Sequence, residues 1–427
     1  MKKIKKSGAA RLLLFCLLAA AAFSWCAIDA IPARLVLFEQ ERAAIGGPVF
    51  DKLFTLDVAA GQGGVLHTDG SLSADTALPD GVLAEGSYTA DVKFLRLLPV
   101  KTVRVDVVKS TEVVPCGSSI GVKLYTDGLL VVGLSDFQDN TGHTVSPGKD
   151  CGVRIGDVIR QAGGKPVTRI AHFTDAVSAG GGSAVELLLE RDGRQLTQTI
   201  QPRVDAADGQ YKLGLWVRDS TAGIGTLTFY DPATNAFGAL GHGITDVDTG
   251  SLLPVGSGQL LPANIVSVKR GEKGAPGELR GVFSSDSAAL GDIYANTNQG
   301  IYGKLDSAAA IAADTAYPIA ARAEVREGPA EILCNIHGQQ VERYQIEIQR
   351  LMRGDTSGKC MVIQVTDPAL LAETGGIVQG MSGSPILQNG KAVGAVTHVF
   401  INDPTRGYGI FLDAMYKNSL QYASGSS

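Results

Sequence analysis

The architecture is dictated first by a stretch near the C-terminus. Gly380-Met381-Ser382-Gly383-Ser384-Pro385 leads into Ile386-Leu387-Gln388, then Asn389-Gly390, then Ala392-Val393-Gly394-Ala395-Val396-Thr397. Short apolar runs on either side of Asn-Gly specify strand, tight hairpin, strand, because Asn and Gly accept the positive φ that a two-residue turn needs. No long amphipathic helical pattern stands out in the C-terminal half, so its strands are expected to form an all-β barrel fold. A serine between glycines at the mouth of a hairpin has two chemical uses. Glycine lets the backbone bend so that the hydroxyl is presented outward. It also lets backbone N–H groups converge on one spot, where they can hold a developing oxyanion. A bare G-x-S-G is as often a plain turn, so the serine needs partners elsewhere in the chain.

A serine hydroxyl is a poor nucleophile until a base takes its proton, and histidine is the usual base because its pKa lies near neutrality. The C-terminal half offers His242, His337 and His398. His337 precedes Gly338 in a predicted hairpin turn and reads as exposed. His398 follows the serine hairpin on a strand. His242 lies between Gly241 and Gly243, close to the backbone and free to be aimed, and it precedes Ser382 in the chain. The bland alternative is an ordinary loop histidine. A third group, a carboxylate that accepts from the histidine and fixes its tautomer, is expected by the same chemistry. Asp246, Asp248, Asp286, Asp292 and Asp367 are open candidates.

The stretch from Gly375-Gly376 through Ser382 to Gly394-Ala395-Val396-Thr397-His398-Val399-Phe400 resembles the nucleophile loop and hairpin of trypsin-like serine peptidases. More narrowly, it is similar to the stage IV sporulation protein B peptidases of endospore-forming bacteria, as is Phe237-Gly238-Ala239-Leu240-Gly241-His242-Gly243-Ile244-Thr245-Asp246 upstream. The resemblance implies a serine endopeptidase with Ser382 as nucleophile, His242 as base and Asp367 as the orienting acid, Asp367 falling where the family's motif suggests, at the end of a strand. The amides of Gly380 and Ser382 are then the oxyanion hole. It further implies self-cleavage near the N-terminus, cleavage of a membrane-bound regulator of pro-sigma-K processing, and action between the two membranes of the developing spore. Two features depart from trypsin. Met381 replaces the aspartate before the nucleophile, and the PDZ-like segment precedes the peptidase.

The 427 residues leave room for two or three domains. A net charge of −5 gives no reason to expect nucleic-acid binding. The six cysteines show no C-x-x-C spacing, and neither a zinc motif nor a phosphate-binding loop occurs, so neither metal nor cofactor is expected. Four of the cysteines lie outside the N-terminal apolar run, and spacing does not tell pairs from buried thiols.

In chain order, Lys2, Lys3, Lys5, Lys6 and Arg11 precede an apolar run over 12–28. As a helix at about 1.5 Å per residue that run is roughly 25 Å long, against about 30 Å of bilayer core. Residues 1–28 are therefore expected to be a signal sequence or membrane anchor, an uncleaved anchor being favoured over a removed signal peptide, with the positive end cytoplasmic and the remainder exported. Residues 29–112 read as a linker and a small β-rich region, with strands at 34–38, 87–94 and 102–108. Residues 113–203 read as a PDZ domain: Ser119-Ile120-Gly121-Val122 matches a carboxylate-holding loop, with Ile120, Gly121 and Val122 as peptide binders, and a helix over 170–179 closes the groove. Residues 204–427 read as the peptidase. The expected whole is mainly β: membrane segment, small β-rich region, PDZ domain, trypsin-like double β-barrel. Its expected partners are protein substrates, itself through self-cleavage, and the membrane. The competing expectation is a non-enzymatic PDZ adaptor with a decayed peptidase fold.

Overall fold

The computed structural model describes residues 34–38, 54–59, 65–66, 72–73, 86–94, 97–108, 111–283, 287–308, 311, 313, 315–322, 324–353, 355 and 357–422. The chain divides into two compact units at Thr111/Glu112. The expected anchor, residues 1–28, lies outside the described residues; among those described, no helix is long and apolar enough to cross a membrane.

The first unit contains a four-stranded sheet in the order Arg34–Phe38, Leu98–Val108, Gly86–Phe94, Phe54–Ala59. The first pair is parallel and the others antiparallel. Val103, Val105 and Val107 are buried while Thr102 and Arg104 face out, the period of two that marked this segment as a strand. The β-rich reading of this region therefore holds.

The second unit is built on long strands. β1 (Ser119–Leu134) begins in a barrel and continues into a smaller sheet that is hydrogen-bonded to it. After α1 (Pro147–Asp150) come β2 (Val158–Ala162), α2 (Ile170–Ala179), β3 (Val185–Arg191) and β4 (Arg194–Ile200). These pack as the sheet β4-β3-β2-β1, with Phe173 and Val177 of α2 buried against Leu129, Ile159, Leu187 and Leu189. β5 (Leu215–Tyr230) then runs antiparallel to β1 over nearly its whole length.

β6 (Ala236–Ala239), β7 (Val255–Pro262), β8 (Gly291–Thr297) and β9 (Gly300–Leu305) complete a six-stranded barrel with β1 and β5. Its order is β1-β7-β8-β9-β6-β5, closed by β5 on β1. Ile120, Val122 and Leu124 alternate into its core beside Leu227, Phe237, Leu260, Ile293 and Ile301.

A second closed barrel follows: β10 (Gly328–His337), β11 (Gln340–Leu351), β12 (Met361–Val365), β13 (Pro385–Gln388), β14 (Lys391–Phe400) and β15 (Asp403–Phe411). α3 (Pro368–Thr374) precedes the Gly380–Pro385 loop. α4 (Leu412–Tyr422) is an amphipathic helix that the sequence pattern did not announce. It buries Leu412, Met415 and Tyr416 against strands of both barrels. At about 1.5–3 kcal/mol per large apolar side chain, that face is enough to hold an 11-residue helix too short to be stable alone.

Two expectations are corrected here. The small sheet with α2 is an insertion between neighbouring strands of the first barrel, because β1 and β5 pass through both; the boundary at 203/204 does not separate independent bodies. Ile120, Gly121 and Val122 are not a peptide-binding loop. They are a β1 segment in the first barrel, paired with Gly225, Ile224 and Gly223 on one side and with Pro262, Leu261 and Leu260 on the other. A Cβ at Gly121 would lie 2.4 Å from the ring of Phe283, so that glycine serves close packing.

Candidate active site

The loop that carries Ser382 is positioned from both barrels. Asn389 and Gly390 take φ of 52° and 74°, and the hairpin they close fixes β13 against β14. Across the inter-barrel cleft, Thr226 on β5 is tied to the loop twice: its N–H donates to the carbonyl of Ser382 at 3.1 Å and its Oγ1 to the carbonyl of Gly380 at 2.8 Å. Gly383, at φ 99°, lets the loop pass so close that a Cβ there would lie 2.2 Å from the carbonyl oxygen of Thr226. Met381, where trypsin has an aspartate, is fully buried, and its sulfur accepts from the N–H of Val378 at 3.5 Å. The side chain therefore anchors the loop from within the core.

Ser382, Gly380, His242 and His398 all line one cleft of about 970 Å³, together with Thr397, Gln379 and Lys359. The backbone N–H groups of Gly380 and Ser382 meet no acceptor among the described residues. Two unpartnered amides flanking a serine are what an oxyanion needs. Ser382 Oγ donates to the carbonyl of Thr397 at 2.6 Å, a resting bond that the hydroxyl must leave to pass its proton to a base.

His242 follows Leu240 and Gly241, both at positive φ, so the chain turns sharply into the cleft. Its Nδ1 lies 2.9 Å from the carbonyl of Gly243. A carbonyl can only accept, so Nδ1 carries the proton and Nε2 keeps the lone pair that a general base uses. Burial lowers the pKa of His242, opposed by that carbonyl. Its ring stands 4.9 Å from the ring of His398. His398, open to solvent on one side, is pushed down to about 4 by burial and then by repulsion from His242 and Lys359. Both rings are neutral at neutral pH.

The expected acid is elsewhere. Asp367 is the N-cap of α3: Oδ1 accepts from Ala369 N–H at 2.9 Å and Leu370 N–H at 3.2 Å, while Oδ2 accepts from Gln345 N–H at 3.2 Å. It does not line the cleft. Its geometry is that of a helix cap ahead of Pro368, not of a partner to His242. Asp246 is also committed: Oδ1 accepts from the N–H groups of Asp248 and Thr249, and Oδ2 takes a hydrogen bond from Arg218. Asp248 pairs with Arg218 at 2.7 Å, Asp292 faces outward on β8, and Asp286 lies outside the described residues. His337 is exposed, as the sequence suggested.

A second groove, of about 570 Å³, lies between α2 and the start of β5, lined by Phe173, Val177, Leu213, Gly214, Leu215 and Trp216 among others. Gly214 sits at φ 70°, and a Cβ there would lie 2.5 Å from the carbonyl oxygen of Ser135. The Ile120-Gly121-Val122 segment has a counterpart beside this groove. Leu213-Gly214-Leu215 has the same apolar-glycine-apolar signature, at the far end of the module.

A family model described as SpoIVB peptidase S55 matches residues 209–416, and a PDZ-domain model matches residues 139–191. Residues 209–416 are thereby identified with the SpoIVB peptidase family. The chain is a serine peptidase, and its inserted module is a PDZ domain.

Among solved structures, this peptidase is similar to the HtrA-type protease AlgW with a decapeptide, at 12% identity over 48% of this chain and 55% of that one, with a TM-score of 0.28. It is similar to a thermostable serine protease, AL20, from an extremophilic microorganism, at 16% identity over 48% and 92% of the two chains (TM-score 0.30). A PDZ domain of an SdrC-like protein from Listeria monocytogenes matches 21% of this chain and 87% of its own at 19% identity (TM-score 0.17). No curated protein matches. Cys116, Cys151, Cys334 and Cys360 of the peptidase are free thiols.

Proposed function

We propose that this chain is an exported, membrane-anchored serine endopeptidase in which Ser382 is the nucleophile and His242 the base. The observation that carries the reading is the meeting of Ser382, a His242 whose Nδ1 is held by the Gly243 carbonyl, and two unpartnered amides in one cleft. In the reaction, Ser382 Oγ turns from Thr397 and attacks the scissile carbonyl carbon while its proton passes to Nε2 of His242. The resulting oxyanion is held by the N–H groups of Gly380 and Ser382. His242 then gives its proton to the leaving amine, and water repeats the sequence on the acyl-enzyme. Gly243 supplies the acceptor for Nδ1–H, so the working pair is Ser382 and His242 and no carboxylate is assigned. The PDZ groove captures an extended segment of the protein substrate, with Gly214 rather than Gly121 giving close approach to backbone amides.

The family match supports a role in sporulation: self-cleavage, then cleavage of a membrane-bound regulator of pro-sigma-K processing, in the space between forespore and mother cell. The positively charged, then apolar N-terminus supports anchoring and export. An adaptor with a decayed site is disfavoured by the intact serine, histidine and loop glycines. The test is mass spectrometry of the full-length protein after incubation in membranes. Wild type should release self-cleavage products and Ser382→Ala should release none. Identical products from both would refute the reading.

A further inference from the structure

The peptide unit between Gly243 and Ile244 is engaged at both ends. Its carbonyl oxygen takes the Nδ1–H of His242 at 2.9 Å. Its N–H donates to Oδ1 of Asn296 at 2.8 Å. Asn296 stands near the end of β8, and its Nδ2 donates to the carbonyls of Ile244 at 2.8 Å and Leu253 at 3.0 Å. The side-chain amide therefore holds the N–H and C=O of Ile244 together, as a neighbouring strand would. A flipped amide would set like groups against each other at all three contacts. Gly243 is pressed onto the same strand end: a Cβ there would lie 2.6 Å from the carbonyl oxygen of Thr297.

We propose that Asn296 is a positioning residue for the base, holding His242, through the Gly243–Ile244 peptide, as the Nδ1–H tautomer with Nε2 free to take the proton of Ser382. The proposal rests on the reading of His242 as the base. A peptide whose N–H donates a hydrogen bond carries a more negative carbonyl oxygen, because bonds in a chain polarise one another. The Gly243 carbonyl then does part of what a carboxylate does in a triad: it fixes the tautomer and stabilises the imidazolium that forms as the serine proton moves. Asparagine suits the task because it offers acceptor and donor in one plane and brings no charge beside a buried ring.

The experiment combines nitrogen-15 NMR of His242 with the rate of inactivation by a small fluorophosphonate, on the full-length protein. In the unaltered protein the proton should sit on Nδ1, with Nε2 bare at neutral pH; a proton on Nε2 overturns the proposal without any substitution. Asn296→Ala should mix the two tautomers and slow inactivation about 10- to 100-fold, part of what general base catalysis supplies. On a peptide substrate it should lower kcat and leave KM unchanged. Asn296→Asp keeps Oδ1 for the Ile244 N–H but sets an acceptor against the carbonyls of Ile244 and Leu253, so it should retain the Nδ1–H tautomer in a less stable protein. His242→Ala is measured alongside. If it is inactivated at the wild-type rate, the base assignment has failed and the proposal falls with it. If it is inert while Asn296→Ala keeps the wild-type rate and tautomer, the proposal for Asn296 alone is refuted.

Discussion

Arg218→Ala isolates the link between the PDZ-bearing strand and the loop that carries His242. Arg218 lies on β5 one residue beyond Val217, which lines the groove beside α2. Its guanidinium bonds Asp246, whose side chain is 0% exposed, and Asp248, whose side chain is 47% exposed. Asp246 in turn organises the turn that follows His242: its Oδ1 caps two N–H groups, its own N–H donates to Ser251 at 2.9 Å, and its carbonyl accepts from Gly250 at 2.8 Å. Removing one partner of a fully buried pair costs about 3–5 kcal/mol, because the other charge is left without compensation. Here the guanidinium is 28% exposed and Asp246 keeps two amide donors, which brings the expected loss below that range, to about 2–3 kcal/mol. Urea denaturation followed by circular dichroism measures it as a fall in midpoint at constant slope. Fluorophosphonate inactivation should slow as well, because the His242 loop loses its brace. Asp246→Asn retains the two capping bonds and should cost less, about 1 kcal/mol. The reasoning is refuted if Arg218→Ala unfolds at the wild-type midpoint, or if Asp246→Asn silences the site in a protein of unchanged stability.

Further outcomes are expected from pH and from two glycine substitutions. Burial lowers His242 below an ordinary histidine and takes His398 to about 4, so the acid limb of kcat/KM should inflect below 6.5, activity being present above the lowered value and lost as pH falls through it. Stability should decline in the same direction, from 6.5 toward 4, because the unfolded chain binds protons that the folded rings refuse; an inflection above 6.5 in a pH–rate profile contradicts this. Gly214→Val combines a left-handed φ, costing about 1–2 kcal/mol, with a Cβ 2.5 Å from the Ser135 carbonyl oxygen, and should impair processing of a protein substrate while leaving fluorophosphonate labelling intact. Gly121→Val drives a side chain into Phe283 and should impair labelling too; the reverse pattern would return the peptide loop to 120–122.

Much of this was legible because the relevant signals are local. Asn389-Gly390 announces its turn through the φ values it tolerates, and α2 spans the 170–179 expected of it. What was misread depended on pairing between distant residues. Ile120-Gly121-Val122 and Leu213-Gly214-Leu215 look alike in sequence; the first is claimed by β5 and β7, the second is left beside α2. The PDZ boundary left no mark because β1 and β5 run through it without a linker. Asp367 did carry a usable signal: Asp followed by Pro at the head of an apolar run is a helix start, and that pattern outweighs its position before the nucleophile. Asn296 had no signal at all, since its partners are backbone atoms far away in the chain.

The central claim is that Ser382 is the nucleophile of a working site. The most direct measurement is mass spectrometric mapping of the residue modified by a fluorophosphonate in the full-length protein, with His242→Ala in parallel. Ser382 is lined up with two unpartnered amides, whereas Ser384 is fully buried behind it. The account predicts a single adduct on Ser382, formed rapidly in wild type and lost in His242→Ala; an adduct on another serine, or no adduct in a folded protein, would contradict it.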